Sequence, residues 1–278
     1  MTPRDLIRGA AESFRLAGIP DPEYDSALLL SSLCGRPPLA LRLDAETEMN
    51  PETAGRFRAL CARRLRREPL QYILGETSFC GFVFRVDPRV LIPRPETELL
   101  CEWAREFIPA GRPVRVLDLC TGSGCLAVSL KLLCPDAVVT AADLSGDALD
   151  VAMLNAARLR ADVCFRRGDL FGAVPDEVFD LIVSNPPYIP SADCGALQPE
   201  VMREPSSALD GGTDGLDFYR RICREAPARL SPGGTLLMEL GDGEADRVAA
   251  VLRESGFPSV EIRNDYQSLP RMIRGTLS

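Results

Sequence analysis

Histidine does not occur anywhere in the 278 residues. Its absence removes the side chain most often used as a general base near neutral pH and the commonest nitrogen ligand of a metal. Any chemistry here must proceed without either. Lysine occurs once, at Lys131, and every other basic side chain is arginine, which we read as genome composition. There are 10 cysteines but no Cys-x-x-Cys pair. With no histidine to complete a mixed ligand set, no metal site is expected. Several thiols lie in apolar stretches, as in Leu33-Cys34 and Leu60-Cys61, which suits reduced, buried cysteines. No stretch of about 18 apolar residues is present, so no membrane-spanning helix is expected. The start, Met1-Thr2-Pro3-Arg4-Asp5, carries charge where a secretory leader needs an apolar run. A cytoplasmic location follows as the expectation.

What is present is ordinary for a globular protein: 46% hydrophobic and 26% charged residues, with a net charge of −8. The length is generous for one core and comfortable for two. Residues 1–70 hold 11 arginines against 10 acids, and the remainder holds 21 basic against 30 acidic residues. An acidic second part argues against DNA as the main partner, because phosphate contacts need positive charge.

The first 69 residues read as a small helical domain. Thr2-Pro3 opens a helix with Leu6, Ile7, Ala10 and Phe14 on one face. Asp21-Pro22 opens a second that stops at Gly35, with Pro37 beyond. Asn50-Pro51 opens a third, whose apolar stripe is Phe57, Leu60, Cys61 and Leu65. The arginines Arg63, Arg64, Arg66 and Arg67 at its end read as a solvated face suited to a helix C-terminus, or else as a contact patch for a protein partner. Residues 70–92 read as a β-hairpin linker, with Gln71–Leu74 and Phe82–Val86 as β-type runs separated by Gly75 and Gly81. Residues 93–278 form the third segment. From Val114 the pattern alternates: strands at 114–119, 137–142, 178–184 and 235–240, helices at 126–133, 146–159 and 218–230. That alternation predicts an α/β fold with a mostly parallel, doubly wound sheet. Residues 191–212 lack periodicity and read as a surface loop able to fold over a substrate. Glu96 and Glu98 either line a site or start a helix.

Two clusters carry chemistry. Cys120-Thr121-Gly122-Ser123-Gly124 follows the first strand and opens a helix, where glycine permits unusual φ angles and close approach of a ligand. Asp143 ends the second strand, where its carboxylate can accept from both hydroxyls of a ribose. A tight strand–helix turn, or a nicotinamide dinucleotide site, fits these residues as well. The second cluster decides between them. An apolar strand, 179–184, runs into Asn185-Pro186-Pro187-Tyr188. An amide or aryl amine nitrogen is a poor nucleophile because its lone pair is delocalised. The Asn185 side-chain oxygen and the Pro186 carbonyl can each accept one N–H. Together they turn the lone pair towards a sulfonium methyl and stabilise the charge that grows on nitrogen. The prolines stiffen the loop, and Tyr188 offers a ring face to a planar group. After transfer the nitrogen loses its proton to water, so no histidine is required.

On these residues the chain resembles the HemK/PrmC protein-glutamine methyltransferases. The resemblance spans Gln71–Gly75, Leu91–Glu98 (LIPRPETE), the glycine turn, Ile182–Ile189 (IVSNPPYI), Glu204-Pro205, Ala208-Leu209, Asp210–Leu216 (DGGTDGL), 232–234 and Glu239–Gly241. It implies a Rossmann-like methyltransferase sheet behind the helical domain, which would recognise the substrate. It also implies S-adenosyl-L-methionine as cofactor and, as substrate, the glutamine of a Gly-Gly-Gln loop in class I peptide-chain release factors. Cofactor positions map onto Cys120, Thr121, Gly122, Ser123, Gly124, Asp143, Asp169, Leu170 and Asn185. Substrate positions map onto Asn185, Pro186, Pro187 and Tyr188, with Asn185, Pro186 and Tyr188 catalytic. The chain departs from the family at Cys120, where glycine is usual, and at Leu170, where some relatives carry an aromatic residue. A monomer is expected, with neither DNA nor membrane as partner. An adenine-specific nucleic-acid methyltransferase and a non-catalytic cofactor-binding protein are the competing readings. The first would need a basic groove, and the intact Asn185–Tyr188 speaks against the second.

Overall fold

The computed structural model describes residues 1–278 and resolves into two compact units. The first comprises Met1–Gly75 together with Gln198–Arg203, and the second Glu76–Leu197 together with Glu204–Ser278.

The first unit is helical: α1 (Pro3–Leu16), α2 (Pro22–Cys34), α3 (Pro38–Leu43), α4 (Pro51–Leu65) and α5 (Leu70–Leu74). Thr2 and Asp5 close a capping box at the start of α1, and Leu6, Ile7, Ala11 and Phe14 face inward at helical spacing. Gly35 ends α2 at φ 63°, the left-handed conformation that glycine takes without penalty. In α4 the buried line is Ala54, Phe57, Cys61 and then Arg64, while Leu65 is exposed. The expected stripe therefore slips by one position at its end, and the solvated-face reading fails for Arg64. Its Nε meets Asp25 Oδ2 and its Nη1 meets Glu200 Oε1, each at 2.7 Å. Arg67 joins Glu200 Oε2 at 2.8 Å. A buried guanidinium needs such partners, and Glu200 supplies one from the short 198–203 segment of the same unit. Residues 70–74 are a helix rather than a strand. Five residues are too few for periodicity to separate the two, but Pro69 before the run and Gly75 (φ 77°) after it are helix punctuation.

The second unit opens with the hairpin β1 (Glu76–Phe79) and β2 (Phe82–Arg85), then α6 (Pro95–Arg105). The α/β core follows: β3 (Arg115–Leu119), α7 (Cys125–Leu133), β4 (Val138–Asp143), α8 (Gly146–Leu159), β5 (Val163–Arg167), β6 (Phe179–Ser184), α9 (Asp217–Glu225), β7 (Leu230–Glu239), α10 (Ala245–Glu254), β8 (Ser259–Asn264) and β9 (Pro270–Thr276). The sheet has seven strands in the order β5-β4-β3-β6-β7-β9-β8, parallel through β7 and closed by antiparallel β9. β5, β8 and β9 have no counterpart in the sequence reading. Val163–Arg167 is only half-buried and ends in two arginines, so it lacks the continuous apolar run that betrays central strands such as β3 and β6. Residues 191–212 carry three short 3₁₀ turns and are mostly exposed. Apolar clusters pack on both faces of the sheet. Asn155 of α8, fully buried, ties the hairpin to the glycine turn: it accepts from Arg85 N at 2.7 Å and donates to Arg85 O at 3.0 Å and Ser123 O at 2.9 Å. No helix is long and apolar enough to cross a membrane.

Candidate active site

The chain reverses between β4 and β5 on one side of β3 and β6 and β7 on the other, so the carboxyl ends of β3, β4 and β6 open together. β3 and β6 pair with Leu119 opposite Ser184, which sets Cys120 and Asn185 side by side at the mouth. Ser184 Oγ donates to Leu119 O at 2.8 Å and pins the two strand ends.

The glycine turn is built from the backbone. Cys120, Gly122 and Gly124 all sit at positive φ, 59°, 54° and 78°. The two glycines serve different ends. A Cβ on Gly122 would meet nothing, so its surroundings are open; a Cβ on Gly124 would stand 2.9 Å from the Ala152 Cβ of α8. Gly124 is thus required by helix packing as well as by its φ. Cys120 holds a left-handed backbone despite its side chain, the conformation usually reserved for glycine. Its thiol is desolvated and lies near Asp143 and Asp118, so it is held well above the usual thiol range and stays protonated.

Asp143 is fixed by the turn it faces. Oδ2 accepts Gly122 N and Oδ1 accepts Ser145 N, each at 2.9 Å. Burial raises its carboxyl above the ordinary range, against those donors. Each oxygen keeps a lone pair for the cleft beside it, whose empty volume is about 840 Å³. Cys120, Gly122, Asp143, Asp169, Leu170, Asn185 and Pro187 all line this cleft. Leu170 takes positive φ (48°) and is buried, and Asp169 pairs with Arg221 at 2.7 Å. A smaller recess of about 400 Å³ shares Cys120, Gly122 and Asn185 with the cleft and adds Thr121, Ser123, Thr97 and Asp118. The fit to an elongated, ribose-bearing ligand is good: an anchored carboxylate stands over an open glycine, with space on both sides of Asn185. Gly124, Pro186 and Tyr188 line neither cavity.

Four residues at the site were passed over by the sequence reading. Asp118, in β3, is fully buried, accepts from Thr121 Oγ1 at 2.6 Å and Ala127 N at 3.2 Å, and is pushed up to about 7 by burial. Glu239, at the end of β7, is equally buried and is likewise pushed up to about 7. Thr97 Oγ1 donates to Glu239 Oε2 at 2.6 Å, and Asn185 Nδ2 donates to Thr97 Oγ1 at 3.1 Å. Glu204 takes Ile92 N at 2.9 Å and Arg94 Nη2 at 2.6 Å, bracing the extended segment that leads into α6 and Thr97. The available signal was the acid at the end of an apolar strand, as in Leu117-Asp118 and Met238-Glu239, where a buried carboxylate needs a reason. Glu96 and Glu98 start α6, and Glu98 Oε1 accepts Cys80 N at 2.8 Å.

The loop carrying Asn185–Tyr188 is clamped by 210–215. Ile189 N donates to Leu209 O at 2.9 Å and Gly211 N to Ile189 O at 2.8 Å. A Cβ on Gly211 would stand 2.6 Å from Tyr188 Cα, and one on Gly215 would stand 2.5 Å from Tyr188 O. Those glycines are therefore dictated by close backbone approach. The Tyr188 ring lies against Gly241, where an added Cβ would meet Cδ2 at 3.0 Å.

The PrmC N-terminal domain family matches residues 5–75, and the methyltransferase small domain family matches residues 97–214. Among solved structures, the chain resembles a methyltransferase from Pyrococcus furiosus (TM-score 0.56, 20% identity, 72% of this chain and 90% of that one). It also resembles the hMettl16 catalytic domain (TM-score 0.60, 17% identity, 79% and 82%). At such identities these likenesses establish the fold, a Rossmann-like methyltransferase sheet. Sequence relatives say more. The release factor glutamine methyltransferase of Geobacter sulfurreducens is 45% identical over 94% of this chain and 91% of its own length. That of Deinococcus radiodurans is 43% identical over 98% and 97%. With both segments matched and identity sustained nearly end to end, the chain belongs to the release factor glutamine methyltransferase family.

Proposed function

We propose that the chain transfers a methyl group from S-adenosyl-L-methionine to the side-chain amide nitrogen of the glutamine in the Gly-Gly-Gln loop of class I peptide-chain release factors, tuning translation termination. The observation that carries this reading is the position of Asn185. It borders both cavities, its nitrogen is engaged by Thr97, and its oxygen is left to accept from a ligand. An acceptor so placed suits an amide nitrogen, which has protons to give and a lone pair to be freed.

When bound, the cofactor supplies an electrophilic methyl on a sulfonium. The chain's part is placement. Asp143 accepts from the ribose hydroxyls, Gly122 allows close approach, Leu170 packs on the adenine, and Asp169 completes that end. Cys120, Thr121, Ser123 and Gly124 shape the turn beneath the remainder. Asn185 Oδ1 and the Pro186 carbonyl each accept one N–H of the glutamine amide, Pro187 stiffens the loop, and Tyr188 packs on the planar group. Two acceptors fix the nitrogen's rotation and stabilise the positive charge that develops during attack, which is where a placed dipole lowers a barrier. The proton then leaves to water. Residues 1–69 serve as the substrate-recognition domain, 70–92 as the linker and 93–278 as the catalytic domain. The enzyme works in the cytoplasm as a monomer, without a metal and without binding DNA directly.

The test is methyl transfer from labelled S-adenosyl-L-methionine to a purified release factor, beside the same factor with its loop glutamine replaced by alanine and beside duplex DNA. Label on the native factor alone is expected. Label on DNA, or equal label on the alanine variant, would overturn the reading.

A further inference from the structure

Asn185 can serve as an acceptor only if its carboxamide points the right way. Turned by 180°, it would present Nδ2, which has no lone pair to offer an amide N–H. Shape alone does not settle the choice, since oxygen and NH₂ are nearly the same size. We propose that Thr97 and Glu239 form a relay that fixes the orientation of the Asn185 carboxamide, making both of them positioning residues for methyl transfer. The inference rests on the methyl-transfer reading above and extends it to residues outside the Asn185–Tyr188 loop.

The geometry is directional. β6 and β7 run parallel with Ser184 opposite Met238, so Asn185 and Glu239 follow each other at neighbouring strand ends. Thr97, in the first turn of α6, stands between them. Its hydroxyl has one proton, and that proton goes to Glu239 Oε2 at 2.6 Å. The oxygen then has only lone pairs left, so it can face Nδ2 of Asn185, at 3.1 Å, and cannot face Oδ1. Thr97 is 3% and Glu239 1% exposed, so water does not substitute for either partner. Glu239 is held in turn: Tyr188 Oη lies 3.5 Å from Oε1, and Tyr219 Oη donates to its backbone oxygen at 2.8 Å.

The relay depends on Glu239 being ionised. Protonated, Glu239 can donate to Thr97, whose own proton is then released towards Asn185 and favours the flipped amide. Burial holds the Glu239 carboxyl up at about 7; Thr97, Arg271 and Arg94 oppose that shift, and Glu96 adds to it. Tyr188 and Tyr219, the remaining titratable neighbours, are both pushed up, chiefly by burial and in part by Glu239, and stay neutral. Turnover should therefore fall as pH drops through the neutral range.

The test combines kinetics with a readout that needs no turnover. Thr97→Val keeps the shape and removes the hydroxyl; Thr97→Ser restores the hydroxyl. Thr97→Val should lower kcat roughly 10- to 100-fold, as loss of a group that orients a reacting-site ligand usually does. Its dissociation constant for S-adenosyl-L-methionine should stay near native, and Thr97→Ser should recover most of the rate. Glu239→Gln should turn over more slowly and lose the acid limb of the pH profile. In the ¹⁵N-labelled protein, the side-chain NH₂ signals of Asn185 should move in Thr97→Val and titrate with pH in the native chain but not in Glu239→Gln. A Thr97→Val kcat within about twofold of native, a Thr97→Ser as slow as Thr97→Val, or Asn185 signals indifferent to both substitutions would overturn the relay. If the native protein leaves a release factor unlabelled, the substrate reading falls, while the Asn185 signals still decide the relay.

Discussion

Arg64 and Asp118 are similarly deep in their respective units, 3% and 1% exposed, yet the two units treat buried charge differently. Arg64 is met by Asp25, by Glu200 and, at 3.3 Å, by the Glu68 carbonyl. Every contact of that hub lies within the first unit. Asp118 has a hydroxyl and a backbone donor and Glu239 has hydroxyl donors, but neither has a cation in contact, and burial pushes each up to about 7. A buried charge with its counter-charge holds a fold in one arrangement; a buried acid without one is a liability that a protein keeps where a site needs it. The contrast can be broken at either end.

The largest effect is expected at the hub. Arg64→Met would leave Asp25 as a buried carboxylate without a partner and Glu200 with Arg67 alone, and stranding a buried charge typically costs about 3–5 kcal/mol. Urea unfolding followed by far-ultraviolet circular dichroism, with proteolysis mapping the segment released, should show the helical unit melting early. Combining it with Asp25→Asn should recover much of the loss, because the stranded charge goes with the arginine. If Arg64→Met alone leaves stability intact, the hub is a surface ion pair in disguise and the contrast fails.

Next come the two ends of the cleft. Asn185→Ala should reduce kcat on the order of 10²–10³, the usual consequence of losing one placed acceptor, while leaving cofactor affinity almost unchanged. Asp143→Ala should do the reverse. It removes a charged acceptor from the ribose and releases Gly122 N and Ser145 N, and should weaken S-adenosyl-L-methionine on the order of 10- to 100-fold by calorimetry. Equal losses in both constants for either variant would mean that the acceptor and the anchor do not act separately.

A smaller effect concerns pH. The Asp118 carboxyl is raised from an ordinary value near 3.8 to about 7 in the folded chain, so between those values the folded state binds more protons than the unfolded one. Stability therefore falls as pH rises through that window. The catalytic unit should resist denaturant better near pH 5 than near pH 8. Asp118→Asn keeps an acceptor for Thr121 and Ala127 and should flatten that slope. A slope unchanged in Asp118→Asn would assign it to Glu239 or to Glu244, also raised to about 7.

How much of this could be read from the sequence follows from what each feature looks like in one dimension. The central strands β3, β4 and β6 and the turn after β3 are legible because buried parallel strands are continuous apolar runs and the turn needs glycine. The edge strands β5 and β8 are not, since exposed edges carry arginine and glutamate as loops do, and β9, though it lies between β7 and β8, has only Met272-Ile273 between Arg271 and Arg274 as an apolar run. Leu70–Leu74 misleads because five apolar residues fit either period. Asn185 announces itself through its prolines. Thr97 and Glu239 stay hidden because their meaning lies in a meeting 142 residues apart in the chain. Arg64 reads as one arginine of a surface group until Glu200 is placed beside it, 136 residues on.

The smallest effect belongs to Cys120, which holds a glycine-like backbone. Its φ of 59° is left-handed, which costs a residue bearing a Cβ roughly 1–2 kcal/mol, whereas glycine takes it freely. Glycine, however, surrenders roughly 0.5–1 kcal/mol more chain entropy on folding. Cys120→Gly should thus stabilise the catalytic unit by about 1 kcal/mol or less, visible as a melting point raised by a few degrees at most. Cofactor affinity is the sharper reading. The Cys120 thiol borders both cavities, is kept protonated, and has a hydroxyl neighbour in Ser184. If the thiol merely fills space, its removal should leave the dissociation constant for S-adenosyl-L-methionine almost where it was. A tenfold weakening, equivalent to about 1.4 kcal/mol, would show instead that the sulfur touches the ligand. The cysteine would then stand with Asp143 as part of the binding surface, and its strained backbone would be the cost of that contact.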